Sequence, residues 1–215
     1  MTPALLLSLP AMEANEARMR DLLRGTGVAL RPHAKLHKSE DVARWHLQAA
    51  KSELSGFCAQ TVPEAAACLR AGSKDVMLTN SLPAHGAQRL AALAAEFRAA
   101  DVSALVDCKE HVATLEAAAH THATNLGAWI EIECGQDRCG CEAASPLAVG
   151  LAQAIAASDC LTFRGLHVYR SRPRSEYTRA CRLRPSTDRV RANRAWPDGA
   201  IQHVRSPVER QIRVD

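Results

Sequence analysis

Aromatic residues are scarce in this chain, at 4% of 215 residues, so its interior must be built from aliphatic side chains, chiefly its many alanines. Long hydrophobic runs are missing as well. The apolar start, Met1 to Met12, has no basic residues ahead of it and is cut by Pro10, which suits neither a spanning helix nor a secretory signal. No G-x-G-x-x-G follows the first strand-like segment, which argues against a dinucleotide-binding fold. The eight cysteines are scattered, and with no secretory signal they read as reduced thiols of a cytoplasmic protein.

Charge is unevenly placed. Residues 1–169 carry 15 Lys+Arg against 18 Asp+Glu, whereas residues 170–215 carry 12 Arg, no Lys and 5 acids. The basic balance therefore belongs to the last segment alone. That segment has no recognisable nucleic-acid-binding module and no interleaved aromatics, so it reads as a passive charged tail with no nucleic-acid or membrane partner.

From Thr2 to Tyr169, short apolar runs alternate with longer helical patterns, which predicts an α/β fold with a parallel sheet. Strands are expected at Ala4–Leu7, Val28–Arg31, 56–59, 75–79, 102–106, 127–133 and 162–168. Helices are expected at Pro10–Arg24, 39–50, 62–71, 83–99, 109–122 and 146–157. Turn signals at Gly25-Thr26-Gly27, Ala71-Gly72-Ser73 and Ser158-Asp159 separate them. Counted from Val28, six βα-type strands can be read, against the eight of a closed (β/α)₈ barrel; an open doubly wound sheet is the alternative. The expectation is a partial TIM-type barrel over 1–169. Residues 170–215, rich in Arg, Pro and Ser and without sustained periodicity, are expected to form a disordered tail. So abrupt a change is also what an out-of-frame reading of a GC-rich gene would produce.

The most informative residue is Lys35, in Arg31-Pro32-His33-Ala34-Lys35-Leu36-His37-Lys38. It follows the apolar run Val28-Ala29-Leu30. A lysine at the C-terminal end of a barrel strand points into the mouth where such folds carry active sites, and its amine can form a Schiff base with a carbonyl compound. Without further context a lysine opening a helix is an ordinary solvated residue. Cys134 and Cys139 have a zinc-compatible spacing, but no second pair or nearby histidine completes four ligands, and no metal ligands are assigned.

Seven motifs in order change the weight of Lys35. They are Thr2-Pro3-Ala4-Leu5, the lysine segment, Gln60-Thr61-Val62-x-Glu64-Ala65, Leu78-Thr79-Asn80, Val106-Asp107, Glu131-Ile132-Glu133-x-Gly135-x-x-Arg138-Cys139-Gly140 and Gly165-Leu166-His167-x-Tyr169. Together the chain resembles the D-threonine aldolase / D-serine dehydratase family, with its alanine-racemase-type barrel (fold type III), over residues 2 to 169.

The resemblance implies pyridoxal 5′-phosphate (PLP) as cofactor and a small D-β-hydroxy amino acid as substrate. Cleavage of Cα–Cβ would give glycine and an aldehyde; loss of the β-hydroxyl, as in a D-serine dehydratase, would give a keto acid and ammonia. It places the Schiff-base amine on Lys35 and a contact to the cofactor's phenolic oxygen on Arg138. Tyr169 and His167 fall on positions lining cofactor or substrate, and Gln60 and Asn80 on polar strand ends facing the same mouth. A divalent metal and a possible homodimer are also implied.

Three family features have no counterpart in the residues: the Gly-rich phosphate turn, the last barrel strands, and the metal-binding β-domain with its His-x-Cys or His-x-Asp ligands. Arg170-Ser171 stand where His-Gly is usual. These departures lead one to expect impaired activity, or a PLP-binding fragment without catalysis.

Overall fold

The computed structural model describes residues 6–50, 54–135 and 137–169; the segment 170–215, expected above to be disordered, lies outside the described residues. Helix α1 (Leu9–Leu23) comes first, with Pro10 in its first turn, where a missing N–H costs nothing. A single 3-10 turn, Ala34–Leu36, precedes α2 (Glu40–Ala50). Strand β1 (Phe57–Ala59), helix α3 (Val62–Arg70), strand β2 (Asp75–Leu78) and helix α4 (Ala84–Glu96) follow. Then come β3 (Asp101–Val106), α5 (Lys109–Thr121), β4 (Leu126–Glu133), the two-residue β5 (Cys141–Glu142), α6 (Leu147–Ala157) and β6 (Leu161–Val168).

Every strand pairing is parallel, and β1, β2, β3, β4 and β6 lie side by side in chain order. A doubly wound sheet reverses its strand order at a switch point, whereas a barrel wall does not, so this is a partial barrel. Ile132 of β4 pairs with both Cys141 and Val168. Since a strand has one neighbour on each side, β5 occupies the edge of β4 that β3 leaves after Val106.

Strand alternation sorts the core into two layers. Phe57, Val76, Leu78, Ala104, Val106, Ala128 and Ile130 pack outward with the helices, while Met77, Leu105 and Trp129 form a separate cluster on the barrel's inner side. The scarce aromatics are used there with care: the buried Trp129 indole N–H donates to Ser103 Oγ at 3.0 Å. At the N-terminal end of the strands, Arg31 pairs in bidentate fashion with Asp75 at 2.5 and 2.7 Å, and Arg164 pairs with Asp101.

Two expected strands are corrected. Val28–Arg31 is not a strand; only the isolated parallel bridges Leu30↔Leu54 and His33↔Cys58 join this segment to its neighbour. Pro32 accepts from the Cys58 N–H at 2.8 Å but has no N–H to return, so the ladder breaks there. Of Ala4–Leu7, residues 4 and 5 lie outside the described residues, and Leu6 and Leu7 are exposed and belong to no strand. The six predicted helices are all present, with ends differing by up to three residues. No helix among the described residues is long and apolar enough to cross a membrane.

Candidate active site

His33 prepares the position of Lys35. It caps the 3-10 turn, its Nδ1 accepting the Lys35 backbone N–H at 3.3 Å, which leaves the ring proton on Nε2. Nε2 lies 3.2 Å from Thr79 Oγ1, and that hydroxyl donates to the Ala59 carbonyl at 3.1 Å. Burial, and then the charge of Lys35, lower the His33 pKa to about 4, so the ring is neutral at neutral pH. The lysine turn is thus tied to the ends of β1 and β2.

Lys35 Nζ lies 5.9 Å from the centroid of the Tyr169 ring, and the Arg138 guanidinium carbon lies 5.1 Å from the same centroid. Both distances suit a cation–π contact. The loop that carries Arg138 is held at several points. Both Glu133 carboxylate oxygens accept the Gly135 N–H at 2.7 and 2.8 Å, and one also accepts the Asp137 N–H at 2.8 Å. Gly140 donates its N–H to Asp107 Oδ2 at 2.9 Å, and Cys141 pairs with Ile132. Gly140 has φ +99°, and a Cβ there would sit 2.7 Å from the Glu133 nitrogen, so glycine alone lets the loop close onto β4.

His167 and Glu131 are register partners on β6 and β4, both nearly fully buried on the inner face. Glu131 Oε1 lies 3.8 Å from both His167 Nδ1 and an Arg138 nitrogen. Burial lowers the His167 pKa to about 4, with the Arg138 charge second. Burial likewise raises the Glu131 carboxyl, against the opposing effects of Cys139 and Arg138.

Of the residues singled out from sequence, Lys35, Arg138, Tyr169 and His167 converge at this mouth. Gln60 and Asn80 stand at the rim: Asn80 Nδ2 donates to the Gln60 carbonyl at 2.8 Å, stapling the ends of β1 and β2, and the Gln60 side chain is exposed. Sequence reasoning passed over His33, Thr79 and Glu131 as site residues. The alternation Trp129-Ile130-Glu131-Ile132-Glu133 is the signal that would have found Glu131, because its polar members share the inner face. Among the described residues, Cys134, Cys139 and Cys141 belong to no group with metal-ligand geometry.

The chemistry of this set is specific. A primary amine, a guanidinium, an aromatic face and neutral imidazoles meet beside the buried Glu131 carboxyl. They fit a carbonyl compound that carries anionic groups: the amine for the carbonyl carbon, the guanidinium for an anionic oxygen.

The chain is 42% identical to 3-hydroxy-D-aspartate aldolase of Paracoccus denitrificans over 173 residues, which is 80% of this chain and 43% of that protein. It superimposes on the crystal structure of D-threonine aldolase from Filomicrobium marinum with a TM-score of 0.70 at 35% identity, covering 77% of this chain and 43% of that one. On D-threo-3-hydroxyaspartate dehydratase from Delftia sp. HT23 the TM-score is 0.69 at 28% identity, covering 78% and 43%. The chain therefore spans less than half the length of the curated relatives it matches. A family model described as alanine racemase, N-terminal domain, matches residues 7–194, and the chain belongs to that family.

Proposed function

We propose that this chain is the lysine-bearing barrel of a PLP-dependent lyase that acts on D-β-hydroxy amino acids, cleaving Cα–Cβ to release glycine and an aldehyde. The observation that carries the reading is the placement of Lys35 and Arg138 around one ring, Tyr169, at the C-terminal mouth of a parallel barrel wall. Likeness to an aldolase at 42% identity supports the choice of bond.

When bound, PLP supplies an electron sink for the pair left on Cα when a bond to it breaks. Lys35 Nζ is the amine that would hold the cofactor through its carbonyl carbon, and a group able to hold or return a proton. Arg138 stays charged and would hold an anionic oxygen of the cofactor. Tyr169 forms a wall between the two cations, and His167, neutral and buried, lines the floor beside Glu131. His33 keeps the Lys35 backbone in place through Nδ1. Gln60 and Asn80 brace the rim. For the divalent metal that the resemblance implies, the ligating group that the described residues bring to this end of the strands is Asp107, Cys108 and His111, and no step is derived through a metal.

Loss of the β-hydroxyl is the second reading, favoured by the likeness to a dehydratase. The first test is covalent. Protein mixed with a small excess of PLP is reduced with borohydride and the modified residue mapped by mass spectrometry. The expected result is one adduct, on Lys35; no adduct, or equal labelling of Lys35, Lys38, Lys51, Lys74 and Lys109, overturns the reading. Assays with D-threonine and 3-hydroxy-D-aspartate plus added divalent metal then separate the two reactions, glycine marking the aldolase and keto acid the dehydratase.

A further inference from the structure

A second cluster of ligating groups lies at the opposite end of the strands from Lys35. Glu116 and His120 stand one turn apart on the same face of α5, and Cys160 follows in the turn that leads into β6. A carboxylate oxygen, an imidazole nitrogen and the Cys160 sulfur there all lie within 4.8 Å of one another. Asp159 adds a second carboxylate at the same edge, its Oδ1 3.3 Å from His120 Nε2.

We propose that Glu116, His120 and Cys160 form a zinc site that fastens the C-terminal end of α5 to the start of β6. Mixed N, O and S ligands suit Zn²⁺, whose bonds of about 2.0–2.3 Å place neighbouring ligands some 3–4 Å apart. Asp159 or a water completes a tetrahedron. The site is preorganised on its sheet side: Cys160 receives the Leu126 N–H on its carbonyl at 3.0 Å, and its own N–H donates to Ser158 Oγ at 3.4 Å. His120 sits in the last turn of α5, where the negative end of the helix dipole favours a cation. Zinc binding would release the Cys160 thiol proton to solvent and replace it.

The other ligating group among the described residues is Asp107, Cys108 and His111, at the mouth end of the strands. Asp107 Oδ1 lies 2.7 Å from His111 Nδ1, and Oδ2 accepts the Gly140 N–H that holds the Arg138 loop. It therefore serves as an internal control. At the bottom of a barrel, away from the mouth, bound metal acts on stability rather than on the reaction.

The test uses the full chain, stripped with chelator and titrated with Co²⁺ and with Zn²⁺ against a competing chromophoric chelator. Wild type is expected to take up a metal ion with a cobalt–thiolate absorption band, and Zn²⁺ is expected to raise its Tm. His120→Ala removes a half-exposed side chain and should leave the fold intact by circular dichroism. It and Cys160→Ser are expected to abolish the band and weaken Zn²⁺ by more than roughly tenfold, the lower bound for losing even an outer partner of a metal site. Cys108→Ser should leave both unchanged. If wild type binds no metal, if folded His120→Ala binds as well as wild type, or if Cys108→Ser alone abolishes the band, the proposal is overturned.

Discussion

Two histidines at the mouth are held neutral by burial, but they do different work. His33 touches the backbone of the reactive lysine rather than its amine, so it is a positioning residue. His33→Ala should slow formation of the Lys35–PLP adduct by about 10- to 100-fold, the scale of a displacement of about an ångström. His33→Asn, which keeps a side-chain acceptor for the Lys35 N–H, should recover part of that rate. Stopped-flow absorbance would read both, and an unchanged rate in His33→Ala would deny the role. His167 makes its mark on stability. Its folded pKa of about 4 lies below the ordinary 6.5, so the unfolded chain binds the proton first as pH falls. Stability is therefore fully retained above about pH 6.5 and is lost progressively as pH drops towards the folded pKa, by roughly 2 kcal/mol near pH 5. Urea melts of wild type and His167→Gln across that range should show the variant with the flatter profile.

Among the elements, the loop between β4 and β5 carries Arg138, and Gly140 is the residue on which it turns. Gly140→Ala forces a Cβ to within 2.7 Å of the Glu133 nitrogen and 2.9 Å of the Ile132 carbonyl carbon. Backbone strain of this kind costs about 1–3 kcal/mol. It should fall on the loop, lifting Arg138 away from Tyr169. PLP affinity is expected to drop more than Tm does, as read by fluorescence titration beside a thermal melt. Helix α3 shows the opposite relation between sequence and structure. Thr61, its N-cap, accepts the Glu64 N–H, and Glu64 reaches back one residue beyond the cap to the Gln60 N–H at 2.8 Å. All six helices were readable because the helical apolar pattern and the turn signals that bound it are local. The failed strand at Val28–Arg31 was misread because its apolar run is local but its pairing is not; Pro32 breaks a ladder whose partner lies some 25 residues away.

At the scale of the molecule, the barrel wall is closed at its N-terminal end by charge. Arg31 is 5% exposed and has Asp75 as bidentate partner. Asp75→Ala should cost about 3–5 kcal/mol, because it leaves a buried guanidinium without its carboxylate. The double substitution Arg31→Met/Asp75→Leu should recover much of that loss. Urea denaturation would read both as shifts in midpoint with little change in slope. A single variant no less stable than wild type would remove the pair from any account of the barrel. On the outer face of β6, Leu166 and Val168 remain about half exposed, whereas their counterparts on the inner strands are buried beneath helices.

Residue pattern was enough to settle the α/β class, six helices, the parallel strands after residue 56 other than the two-residue β5, and the lysine segment with its family motifs, because each is written in neighbouring residues. Convergence was not. That Lys35 and Arg138 flank Tyr169, that Glu131 lies beside His167, and that Cys160 reaches Glu116 across 44 residues are facts of strand register and helix packing. Register depends on which edges pair and which faces are buried, and those are decided only when the whole sheet assembles.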